Sequence, residues 1–225
     1  MNRPLVIVRP EPGCSETLRA AEALGIEAIA APLFGIEPVA WEPADPGQFD
    51  GILAGSANAF RHAGDGLAAL RNLPVHAVGD RTAGAARAAG LGVAHVGKGS
   101  LQNLLEALTP PLRLLRLSGE VRVDLALPDG VSVEDRVVYR AVPLDLAAEA
   151  ARALSQGAVV ALHSGEAARH FSGEVDRRDI GRGQIAIAAL APRIAGAAGK
   201  GWRSVRTAPR VTDDALLALA AEMCQ

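Results

Sequence analysis

Aromatic side chains are scarce in this sequence. Four Phe, two Trp and one Tyr make up 3% of its 225 residues, so core volume has to come from Val, Ile, Leu and Ala. Cysteine is scarcer still: Cys14 and Cys224 stand far apart, with no Cys-x-x-Cys spacing. That argues against a disulfide framework or a structural zinc site and fits a reducing compartment. Lysine is confined to Lys98 and Lys200, and the rest of the 23 basic residues are arginine. Arginine suits planar recognition of carboxylate or phosphate, although genomic base composition explains such a bias more simply. A net charge of -2 supplies no global basic field, so nucleic acid is not an expected partner.

Long apolar runs are missing too. No uncharged stretch reaches the roughly 18 residues of a membrane span, and the opening MNRPLVIVRPEPG lacks the apolar core of a signal peptide. A cytoplasmic protein with no membrane partner is expected. The usual fingerprints of bound groups are absent as well. There is no G-x-G-x-x-G after the first strand, no G-x-x-x-x-G-K-[ST] and no G-x-S-x-G. His62, His76, His95, His163 and His170 show no metal-binding spacing. Neither a cofactor nor a metal is expected.

What is present is a regular alternation. Hydrophobic residues make up 49%, with 24 Gly and 14 Pro, a globular composition with many turns. Short apolar runs at LVIV (5–8), IEAIAA (26–31), FDGILA (49–54) and VHAV (75–78) predict strands. LRLLRL (112–117), VSVEDRVVYRAV (131–142), AVVAL (158–162) and IAIAAL (185–190) predict the later ones. Ala-rich helical segments separate them, the first from about Ser15 to Leu24 with Gly25 as its stop. Others begin near Ala57, at DRTAGAARAAG and, after Gly99 and Ser100, at LQNLLEAL. Such order predicts an α/β fold with parallel sheets covered by helices on both faces.

The chain also resembles itself. LAGSANAFRH (53–62) matches ALHSGEAARH (161–170), and HAVGDRTAGAARAAG (76–90) matches AALAPRIAGAAGKG (188–201). Two α/β units of similar topology follow. LFGIEPVA (33–40) and RVVYRAVP (136–143) are extended, flank the central block and predict a pair of antiparallel crossings between units. Residues 1–37 with 142–225 then form one discontinuous domain, and 38–141 an inserted one. A cleft between them is the expected ligand site.

Several turns are candidates for anion binding. GSANA (55–59), with Ser56 and Ala57, and HSGEA (163–167), with His163 and Ser164, sit at strand-to-helix junctions. There a serine caps the helix while neighbouring N–H groups face a ligand, or caps it with no ligand at all. In VGDRTAGAA (78–86), Gly79 permits close backbone approach, and Thr82 or Asp80 offers a cap. RLSGE (116–120) places Arg116, Ser118 and Gly119 between a strand and a short helix, as an anion site or a solvated turn. Arg9, after LVIV, is open to the same two readings. Tyr139, the sole tyrosine, either packs or donates a hydrogen bond to a leaving hydroxyl.

These segments, taken in order, resemble the uroporphyrinogen-III synthase family. VIVRPEPG, SANA, AVGDRTAGAARAAG, LSGE, VVYRAVP and the late TDDALLALA occur in that family's sequence, spanning nearly the whole chain. The resemblance implies two α/β domains joined by a two-stranded linker. It also implies cyclisation of hydroxymethylbilane, a linear polycarboxylate tetrapyrrole, to uroporphyrinogen III, with ring D inverted and water lost. No cofactor is implied, and a monomer is expected. Tyr139 matches the tyrosine that assists departure of the hydroxyl, while Ser56, Gly79, Thr82 and Ser164 match positions that bind carboxylates. The family's threonines before the RP pair and the first serine are replaced by Val8 and Gly55. Its late G-x-x-T turn reads Ala191-Pro192-Arg193-Ile194, which leaves carboxylate binding there to Arg193, His163 or main-chain donors. The alternative function is a non-catalytic tetrapyrrole-binding or sensor protein on the same scaffold.

Overall fold

The computed structural model describes residues 3–225. The chain begins with β1 (Leu5–Ile7), α1 (Gly13–Ala23), β2 (Ala28–Ala30), β3 (Phe34–Pro38) and β4 (Gly51–Ala54). Next come α2 (Asn58–His62), β5 (Val75–Val78), α3 (Gly79–Ala88), β6 (Val93–Gly97) and α4 (Leu101–Glu106). Then follow β7 (Leu112–Gly119), β8 (Val131–Pro143), α5 (Ala148–Gln156), β9 (Val159–Leu162) and α6 (Gly165–Arg177). The order closes with β10 (Ala186–Ala189), α7 (Pro192–Ala197), β11 (Ser204–Thr207) and α8 (Asp213–Cys224). No helix among the described residues is long and apolar enough to cross a membrane.

The chain divides into two compact units. Unit 1 comprises Met1–Gly35 and Val142–Gln225, and unit 2 comprises Ile36–Ala141. The sheet of unit 1 has the order β11-β10-β9-β1-β2, and that of unit 2 the order β3-β8-β7-β4-β5-β6. Apart from the added β3, the two orders superpose strand for strand, with β4 answering to β9 and β5 to β10. The shared order is a doubly wound one, all of whose registered pairs are parallel. Strands β3 and β8 run from one unit into the other. Val39 N–H donates to the Val138 carbonyl and Leu144 N–H to the Leu33 carbonyl, an antiparallel register.

Alternation along each strand sends side chains to two cores. In unit 1, Val6, Val160 and Ile187 face α5, α6 and α7, where Phe171 stacks on Trp202 at 5.6 Å between ring centroids. Leu5, Ile7, Ala161 and Ala188 face α1 and α8. In unit 2, Ile52, Ala54 and Leu117 face α2 and α3, and Leu53 and Leu114 face α4. Leucine and alanine fill most of this volume, as the shortage of aromatics requires.

Two strands carry no apolar run in the sequence. β6 and β11 lie at sheet edges and are mostly exposed, so VAHVG and SVRT have little to bury. A correction concerns RLSGE. Its residues up to Gly119 belong to β7, and the crossing to β8 is irregular chain rather than a short helix.

A buried carboxylate fastens α6 to the segment before α5. Glu174, 5% exposed, accepts from the Leu146 N–H at 2.7 Å and from Arg177 at 2.8 Å. The Arg177 hydrogen bond is the main reason its pKa is held down at about 2. Stability from this depression is present above the ordinary value of 4.5 and lost as pH falls toward 2. Glu174→Gln is expected to cost about 1–3 kcal/mol at neutral pH in urea denaturation. The gap between parent and variant should close on acidification over that window.

Candidate functional site

A parallel sheet with helices on both faces has one place where successive connections leave in opposite directions. Loops diverge there and open a crevice beyond the carboxyl ends of the strands. In unit 2 the place lies between β4, whose chain departs toward α2, and β7, which the chain reaches from α4 on the other face. A cavity of about 270 Å³ opens at this point, lined by Ser56, Arg116, Ser118, Gly119 and Tyr139 among others. Residues far apart in sequence meet there because β4, β7 and β8 are neighbours.

Ser56 leads into α2 and its Oγ accepts the Asn58 N–H at 3.2 Å. Ala57 is buried at the start of that helix. Arg116 and Ser118 project from the α4 face of β7 and are 6% and 7% exposed. The Arg116 guanidinium donates to the Val123 carbonyl at 3.0 Å and lies 3.5 Å from the Asp135 carboxylate. Burial lowers its pKa, while Asp135 opposes that shift. The other oxygen of Asp135 is 3.5 Å from Arg122, so one carboxylate serves two cations beside the cavity. Ser118 Oγ is buried with no hydrogen-bond partner, a hydroxyl free to serve a ligand. Tyr139 stands on β8 opposite Gly119.

Gly79 and Thr82 belong to the next turn and do not line this cavity. Gly79 has a φ of +76°, and a Cβ there would meet nothing within 4 Å. That backbone makes the left-handed turn into α3, and the space over it is open. Neither Asp80 nor Thr82 caps α3: the cap is Val78, with no side-chain hydrogen bond. Thr82 is 4% exposed, one turn into the helix.

The corresponding place in unit 1 lies between β1 and β9. Ser164 caps α6 there, its Oγ accepting the Ala167 N–H at 3.1 Å. Arg9 follows β1, but its guanidinium is engaged: it pairs with Asp213 in the first turn of α8 and donates to Thr17 Oγ1 at 3.2 Å. It also lies so close over Gly13 that a Cβ there would meet its Nε. His163 Nε2 is 3.6 Å from the second Asp213 oxygen. Both His163 ring nitrogens are buried without a hydrogen-bond partner. Burial, then the Arg9 cation, push its pKa down to about 4, so the ring is neutral at neutral pH. Arg193 is exposed on α7, and Ala191 caps that helix without a side-chain bond.

Asp213 and Asp135 are the participants that motif reading does not select. Asp213 lies 204 positions from Arg9, and only the packing of α8 brings them together. Among the described residues no three His, Cys, Asp or Glu side chains gather as a metal-binding group.

Fold and site together define a doubly wound α/β protein of two like units, with polar side chains gathered at the strand ends of each. The family model for Uroporphyrinogen-III synthase HemD matches residues 15–218, and the chain belongs to that family. Comparison with curated proteins gives no match. Among solved structures, the chain is similar to uroporphyrinogen-III synthetase from Helicobacter pylori, with 18% identity and a TM-score of 0.68. That match covers 98% of this chain and 99% of the other. A mutant uroporphyrinogen III synthase from the extremely thermophilic bacterium Thermus thermophilus matches with 18% identity and a TM-score of 0.56, covering 98% of each chain. At these identities the likeness is one of fold.

The depressed His163 pKa makes protonation favour the unfolded chain, so stability falls as pH drops from 6.5 toward 4. In chemical denaturation across that window, His163→Asn should flatten the slope relative to the parent. An unchanged slope would assign the loss to other groups.

Proposed function

We propose that the chain is a uroporphyrinogen-III synthase. In this reading it closes hydroxymethylbilane to uroporphyrinogen III through a spiro intermediate, with ring D inverted and water lost. The observation that carries the reading is the cavity at the end of β7. There a phenol, a buried arginine and an unpartnered buried hydroxyl converge on one volume.

The substrate bears many carboxylates and is reactive enough to cyclise unaided, so catalysis has to enforce one folded geometry. Ser56, Ser118 and the Gly119 backbone are proposed to hold carboxylates in unit 2, with Arg116 as the buried cation. In unit 1, Ser164, the first amides of α6 and the exposed Arg193 are the proposed donors. Arg9 and the neutral His163 act there through Asp213. Ala57, Gly79 and Thr82 are assigned to shaping the two turns of unit 2.

The Tyr139 hydroxyl is proposed to donate a hydrogen bond to the departing hydroxyl. As that bond breaks, positive charge develops on the terminal pyrrole, and fixed dipoles around it lower the barrier. Positioning supplies much of the acceleration, so loss of the phenol weakens turnover without abolishing it.

The test is product analysis: freshly made hydroxymethylbilane is mixed with the protein, and the oxidised uroporphyrin isomers are resolved. Mainly isomer III is expected. Isomer I alone, at the uncatalysed rate and from folded protein, overturns the reading in favour of a tetrapyrrole-binding protein. Tyr139→Phe is expected to lower turnover on the order of a hundredfold, with isomer III still formed. A variant indistinguishable from the parent removes the proposed role of the phenol.

A further inference from the structure

The parallel ladder between β7 and β8 slips near its end. Ser118 pairs with Val137, but Gly119 pairs with Tyr139, so Val138 is the extra residue of a bulge. The slip sets Tyr139 directly opposite a residue without a side chain. A Cβ on Gly119 would lie 2.8 Å from Cε2 and Cζ of Tyr139 and 3.0 Å from its Oη. The phenol therefore lies along the end of β7, in space that any side chain at position 119 would claim. Gly119 is not among the glycines with positive φ, so its backbone tolerates a Cβ. What requires glycine is the ring. On the α2 side the His62 imidazole flanks that ring, with centroids 6.4 Å apart.

We infer that Gly119 is a positioning residue for Tyr139. The bulge aligns the two, and the missing side chain lets the phenol lie along the strand end. Together they set where the hydroxyl stands in the cavity that Ser118 and Gly119 also line. The inference rests on the proposed role of Tyr139 in hydroxyl departure.

Because the chain has a single tyrosine, fluorotyrosine labelling of the full-length protein yields one fluorine resonance that reports this ring alone. Gly119→Ala is expected to move that resonance and to lower kcat by about tenfold to a hundredfold, with KM little changed. In a Tyr139→Ala background the ring is gone. There Gly119→Ala is expected to cost no stability beyond that of Tyr139→Ala itself. An unmoved resonance, or penalties that simply add, overturns the assignment. If Gly119→Ala alone does not fold, the Tyr139→Ala background decides: recovery there supports the assignment, and failure there overturns it. A Tyr139→Phe protein with parental turnover removes the role of the phenol, and with it the kinetic part of this proposal. An unmoved resonance beside an impaired Tyr139→Phe overturns the positioning alone.

Discussion

A parallel strand pair cannot be closed by a tight turn: the chain has to return the length of the sheet before it pairs again. In both units every pairing is of this kind except that of β3 with β8, which is antiparallel. The return segments must bury both sheet faces, which produces the four cores and the helices that fill them. They must also part company somewhere, which opens the strand ends at β1/β9 and β4/β7. The location of the polar residues follows from that geometry. Arg9, His163 and Ser164 reach one end, and Ser56, Arg116 and Ser118 reach the other.

The two ends have been used differently. In unit 1 the protein supplies its own carboxylate: Asp213 occupies Arg9 and lies beside His163. In unit 2 no such carboxylate meets Ser118, whose hydroxyl is left without a partner, and Asp135 touches Arg116 from the side. One scaffold thus presents an internally neutralised end and an end with unspent donors.

Much of the fold was legible because the central strands of a doubly wound sheet are apolar on both faces. LVIV, GILA, AVVAL and IAIAAL announce themselves, and the repeat links β4 to β9 and β5 to β10. Edge strands β6 and β11 were not legible, since strands that bury little need no apolar pattern. Of the candidate site, Ser56, Ser118 and Tyr139 could be found as turns and a lone phenol. The state of Arg9 could not, because its partner is brought by α8 from the far end of the chain. The helix expected after RLSGE did not form. Gly79 makes a left-handed turn, a use of glycine that sequence alone does not tell from one that leaves room for a ligand.

The crossing from β7 to β8 has no ladder or helix of its own. Side chains do part of the holding: Arg116 binds the Val123 carbonyl, and the Gln102 amide pairs with both backbone groups of Ala126 at 2.9 Å. Val121 and Val123 stand 83% and 65% exposed along it. Local opening is cheapest where few apolar contacts are lost and the hydrogen bonds already face water. Opening this stretch of unit 2 therefore costs less than opening the sheet, and the ties that hold it, the Arg122–Asp135 pair included, share an arginine with the cavity wall.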